Sequence, residues 1–149
     1  MEPRIVDRDA FTVVGILAHG DPSDMDYEEL WDQFTPYHDR IKQLSTDKAY
    51  YNVYFGPEEE GMVDIVVGMV VEDTENIPEG LVVREVPDMH CAIFECTLET
   101  IGQTYSYIYE EWLPKSQYEH GGKPDFEYFP PDSGPGNSMV LIHIPIEEG

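Results

Sequence analysis

Basic residues are scarce in this chain. Its 149 residues include 8 Lys and Arg against 31 Asp and Glu, a formal net charge of -23. Phosphate backbones are bound through clustered Lys and Arg, so this balance argues against direct nucleic-acid contact. It disfavours an anionic membrane surface for the same reason. Such a field attracts cationic ligands and basic partners, and it also serves solubility or adaptation to high salt. Cysteine is nearly absent: Cys91 and Cys96 stand alone. An odd spacing on a strand sends them to opposite faces, so no bridge between them is expected. Two cysteines make no disulfide framework, which fits a reducing compartment. Long hydrophobic runs are missing too. No stretch approaches the roughly 20 apolar residues of a membrane span, and "MEPRIVDRDA" lacks the basic start and apolar run of a signal peptide. The expectation is a soluble, cytoplasmic protein. No P-loop, dinucleotide fingerprint or G-x-S-x-G appears. The five histidines show no H-x-x-x-H spacing, so neither a metal nor a cofactor is expected.

What is present is a patterned apolar content of 41%, enough for a core in one ordinary domain. Residues 4–18, "RIVDRDAFTVVGILA", read as a strand with a polar break at Asp7 to Asp9. "DPSDMDYEELWDQF" follows as a helix with Ser23 or Asp24 as N-cap. Its face comprises Tyr27, Leu30, Trp31, Phe34, His38 and Ile41, and Pro36 imposes a kink or break. "KAYYNVYF" and "VDIVVGMVV" predict a hairpin around the turn "GPEEEGM".

The order then repeats. "LVVREVPDMHCAIFECTL" matches the first interrupted strand. "ETIGQTYSYIYEEWL" is helical, with Ile101, Tyr105, Ile108 and Trp112 on one stripe and Pro114 as its stop. "DFEYF" and "SMVLIHIPI" complete the copy across the loop "PPDSGPGN". An offset of 77 lays Gly15 and Ile16 on Ala92 and Ile93, and Tyr51 on Tyr128. The expected fold is α+β: duplicated strand–helix–strand–strand units, residues 1–76 and 77–149, sharing one curved antiparallel sheet with two main helices. A pseudo-twofold axis relates them within a single domain, 1–149. A groove at such a junction is a natural ligand site.

"YIYEEWLPKSQYE…PDFEYF" with "SMVLIHIPI", and more loosely "VVGI", "LWDQF" and "YYNVYF", resembles the GyrI-like small-molecule-binding domain. This is the effector-binding module of multidrug-responsive regulators of the AraC and MerR types, also found as stand-alone proteins. The first strand begins almost at Met1, which leads us to expect no preceding DNA-binding segment. The resemblance implies a cleft between the halves that binds bulky hydrophobic, often cationic, compounds, with aromatic walls and a deep carboxylate at Glu127. From strand alternation alone, Glu127 in "PDFEYFPP" faces either solvent or an apolar hollow, because a carboxylate among rings is costly without a partner. An organic cation supplies that partner and stacks on the rings.

The candidate ligand-binding residues are Glu127, Trp112, Tyr105, Tyr51, Tyr54, Tyr128 and Phe34, with Trp31 sharing the ambivalence of Phe34 between core and cleft. Tyr109, off the stripe, either borders the cleft or is exposed. Glu110 and Glu111 read as a solvated face, with Glu111 an outside candidate for pocket polarity. His120 in "YEHGG" is expected in an exposed loop. Two alternatives stay open: a hydrolase opening cyclopropane-type electrophiles with Glu127 as its catalytic group, and an acidic inhibitor of a basic protein partner. Haem, suggested by a related fold, lacks an axial ligand.

Overall fold

The computed structural model describes residues 2–21, 24–56, 62–131 and 139–148. Ser23, Ser138, the tip of "GPEEEGM" and most of "PPDSGPGN" lie outside the described residues.

The polar break at Asp7 to Asp9 splits the first apolar run into β1 (Arg4–Arg8) and β2 (Phe11–Gly20). The second run divides likewise into β5 (Val82–Val86) and β6 (Met89–Thr97). Between them come α1 (Tyr27–Phe34), a 3₁₀ turn at Thr35–Tyr37, α2 (His38–Leu44), β3 (Tyr50–Phe55) and β4 (Val63–Val71). The N-cap of α1 is Asp26, whose side chain accepts from the Glu29 amide. The described candidate, Asp24, does not fill that place. Pro36 enforces the expected break, realised as the 3₁₀ turn between α1 and α2. The second copy continues with α3 (Ile101–Tyr107), a π-helical turn at Ile108–Trp112, the short α4 (Leu113–Lys115), β7 (Tyr118–His120), β8 (Asp125–Phe129) and β9 (Met139–Glu148).

All strand pairs are antiparallel, in the order β1-β6-β9-β8-β3-β4-β2-β5, with β7 added on β9. β1 and β2 stand first and seventh in that order. A flat sheet would separate them by roughly 29 Å at about 4.8 Å per strand. Three Cα steps from Arg8 to Phe11 reach about 11 Å at most. The sheet therefore curls strongly. One core fills the inside of the curl around Val13, Tyr51, Val66, Val86, Cys91 and Phe126. Two more lie on the other face, one under α1 and α2, one under α3.

The pairing makes the pseudo-twofold explicit. Arg4 opposes Ile93 and Val82 opposes Gly15, an offset of 78 from Arg4 to Val82 and from Gly15 to Ile93. At the axis Asn52 opposes Glu127, an offset of 75. The uniform offset of 77 is thus replaced by two, because the segment between the paired strands is three residues shorter in the second copy. Tyr51 and Tyr128 are not symmetry mates; they are direct cross-strand neighbours. The free thiols of Cys91 and Cys96 are both buried, in cores on opposite faces of the sheet.

Candidate functional site

Alternation on the two axial strands decides the site. Asn52 and Tyr54 on β3, with Asp125, Glu127 and Phe129 on β8, point to the helix-bearing face. Neither helix covers the middle of that face. α1 borders it with Tyr27, Glu28 and Trp31, and α3 with Ile101, Gly102 and Tyr105, followed by Tyr109. The result is a cavity of about 850 Å³, near the upper end of pockets that hold drug-sized molecules.

Glu127 forms its floor and is only 2% exposed. Oε2 accepts from the hydroxyls of Tyr54 and Tyr105, each at 2.8 Å, and Oε1 accepts from Asn52 Nδ2 at 3.1 Å. Tyr54 is 3.3 Å from the hydroxyl of Tyr27, so both helices are tied to this carboxyl. Burial pushes the Glu127 carboxyl above the ordinary Glu range; the Tyr54, Tyr105 and Asn52 donors pull it back, and Asp125 adds to the rise. Tyr54 and Tyr105 are held well above the usual phenol range, first by burial and then by the Glu127 charge. They act as fixed neutral donors. No Lys or Arg is among the described residues lining the cavity.

A second polar group stands at the rim. Asp125 accepts from Tyr109 and lies 2.7 Å from His120 Nε2. Tyr109 stacks between Tyr105 and His120. His120 is not in an exposed loop: it ends β7, half-buried, and its hydrogen bond to Asp125 raises its pKa.

The other named residues sort by face. Tyr54 and Tyr105 reach the carboxyl. Tyr51 and Tyr128 point the opposite way, into the core inside the curl. There Tyr51 is fully buried and accepts a 2.6 Å hydrogen bond from Arg8. Their adjacency to Glu127 along and across the strands places them behind it. Trp112 packs edge-on against Phe94 beneath α3 and borders, with Glu111, a smaller groove of about 210 Å³. Phe34 sits under α1, 1% exposed, whereas Trp31 on the same helix lines the cavity. Residue-type reasoning passed over Asn52, Tyr27 and Asp125. The signal that reaches them is the period of two on β3 and β8, counted outward from Glu127.

Two outcomes follow from these placements. Phe34→Ala is expected to cost about 3–5 kcal/mol of stability, read by denaturant unfolding, with ligand selectivity unchanged. Glu127→Gln is expected to raise the melting midpoint of the ligand-free protein at neutral pH. A carboxyl raised by burial above 4.5 destabilises the fold once ionised. That penalty is absent below the unfolded-state value and grows as pH rises through the folded-state value. The gap in midpoint between variant and wild type therefore opens on going from pH about 4 to neutral.

The family model of the integron-associated effector binding proteins (Cass2) matches residues 4–146. The chain belongs to this family. It is similar to the transcriptional regulator BrlR of Pseudomonas aeruginosa, at 31% identity over 98% of this chain, and spans 56% of that protein's length. Among solved structures it resembles SAV2435 bound to tetraphenylphosphonium (TM-score 0.79, 14% identity, 99% of this chain and 94% of that one). It also resembles an integron cassette protein of Vibrio cholerae (TM-score 0.68, 19% identity, 99% and 97%). These neighbours share the GyrI-like α+β fold. Among the described residues no helix is long and apolar enough to cross a membrane.

Proposed function

We propose that this member of the effector-binding family takes up hydrophobic cations in the cavity between α1 and α3, as a sensor or a sequestering protein. Glu127 supplies the charge complement, and Trp31, Tyr54, Tyr105 and Tyr109 the aromatic surface. The observation that carries this reading is a nearly buried carboxylate on the floor of an aromatic cavity, held by neutral donors and with no Lys or Arg among the described residues that line the cavity. A carboxylate in that setting gains most from a partner that brings positive charge and needs little hydration. A delocalised organic cation fits, because its charge attracts the carboxylate while its apolar body covers the ring faces. The tetraphenylphosphonium bound to SAV2435 is a ligand of that class. With a net charge of -23, direct nucleic-acid contact by these residues is not part of the proposal.

Thermal unfolding tests the reading. Tetraphenylphosphonium should raise the melting midpoint progressively with concentration, as any ligand selective for the native state does. Triphenylphosphine oxide, neutral and similarly aromatic, should raise it less. Equal shifts would remove the charge role from Glu127, and no shift with either would remove the cavity from consideration.

A further inference from the structure

The hydrogen bonds around Glu127 leave one group unmatched. Oε2 takes Tyr54 and Tyr105, and Oε1 takes Nδ2 of Asn52. The other end of that amide, Asn52 Oδ1, is buried with no hydrogen-bond partner among the described residues. An amide offers a donor and an acceptor at two nearly superimposable positions. Half a turn about its terminal bond would put Oδ1 where Nδ2 now stands, 3.1 Å from Oε1. That position accepts a hydrogen bond from a protonated carboxyl group. Asn52 can thus serve Glu127 in both states, donating to the carboxylate or accepting from the acid, with the far end of the amide unmatched in each.

The surroundings favour the acid when the cavity holds no cation. Tyr54 faces the carboxyl from β3, and Tyr27 and Glu28 approach from α1. Tyr105 and Tyr109 approach from α3 and the π-turn, Cys96 from β6, and Asp125 with His120 from β8 and β7. These are neutral donors and further acids, apart from His120, which is tied to Asp125. Burial, the largest influence, and the Asp125 charge disfavour the charged form, and they outweigh the Tyr54, Tyr105 and Asn52 donors, which favour it.

We propose that the cation-free site stores a proton on Glu127, held against Asn52 Oδ1, and that an entering cation expels it. The proton passes to solvent as the cation enters, so the charge of the site is conserved. A neutral ligand of similar shape leaves the proton in place. One cavity then serves two ligand classes, cations on the ionised form and neutral aromatics on the acid, and Asn52 is the positioning residue that fits both. The exchange rests on the cation-binding reading above; the stored proton does not.

Calorimetry in buffers of different ionisation enthalpy counts the protons. With tetraphenylphosphonium, proton release should be seen at about pH 5 and decline as the pH rises past the carboxyl midpoint. Triphenylphosphine oxide should release none, and neither ligand should release any from Glu127→Gln. Cation binding without proton release at every pH overturns the exchange and leaves the cation reading intact. Failure of the cation to bind overturns both. The infrared difference between ligand-free wild type and Glu127→Gln tests the stored proton independently. A protonated-carboxyl C=O band is expected at about pH 5, and its absence overturns the proposal. In Asn52→Leu that band should move, because the acid has lost its acceptor; an unmoved band removes Asn52 from the account.

Discussion

Glu127→Gln is expected to weaken tetraphenylphosphonium binding about 10- to 100-fold at neutral pH, while triphenylphosphine oxide changes by less than about threefold. Gln occupies the same volume and keeps an oxygen for Tyr54 and Tyr105, so cavity shape and the tie between the helices survive. What disappears is the negative charge. Coupling across a close, desolvated charge pair starts at about 1.5 kcal/mol, the shielded charge of a phosphonium places it at the low end, and about 1.4 kcal/mol is tenfold in affinity. Binding persists at a reduced level because Trp31, Tyr54, Tyr105 and Tyr109 still offer apolar cover and ring quadrupoles. Isothermal titration of both ligands against both proteins gives the four constants required. Parallel losses for cation and neutral ligand would mean that the substitution disturbed the cavity itself.

The second large effect concerns the scaffold. Gly15 on β2 and Gly68 on β4 are directly opposed. A Cβ added at Gly68 would fall 1.9 Å from the Val14 carbonyl oxygen, and one at Gly15 would fall 1.9 Å from that of Val67. Both obstacles are main chain in a paired ladder, which no side-chain rotation relieves. Gly68→Ala must part β2 from β4 at this close approach. We expect a loss of more than about 3 kcal/mol, a large fraction of the 5–15 kcal/mol that holds a typical domain together. The variant should be largely unfolded or insoluble at physiological temperature. Gly102→Ala is the control: it stands in α3 with nothing within 4 Å of the added carbon, and helix propensity favours Ala by about 1 kcal/mol. A Gly68→Ala protein as stable as wild type by denaturant unfolding would mean that the strands sit farther apart than described.

Much of this architecture is legible in the sequence because the duplication repeats an unusual order, an apolar run broken by acidic residues, then a helix, then two strands. The break at Asp7 to Asp9 announces a change of strand, but not that β1 crosses to the far half of the sheet. Pairing partners are set by tertiary packing, and the local pattern does not carry them. β7 was missed because "YEH" is short and polar, and it is held by β9 and by His120 on Asp125.

At the site, the resemblance to the family pattern points to Glu127, the helical stripe to Tyr105 and the third element of the first copy to Tyr54. The offset of 77 adds Tyr51 and Tyr128. Strict alternation excludes both, since Tyr128 adjoins Glu127 in sequence and Tyr51 adjoins Asn52. Aromatic residues are equally at home in a cleft and in a core, which is why composition did not separate Trp31 from Phe34 on one helix. Asn52 carries no signal by residue type. Its importance comes from standing opposite Glu127 on the pseudo-twofold axis, and that requires the register.

A crystal structure of the complex with tetraphenylphosphonium tests the central claim most directly. The cation should lie between α1 and α3, its rings against Trp31 and Tyr105 and its charged centre toward the Glu127 carboxylate. A cation bound elsewhere on the surface, or seated in the cavity with Glu127 turned away from it, would contradict the account.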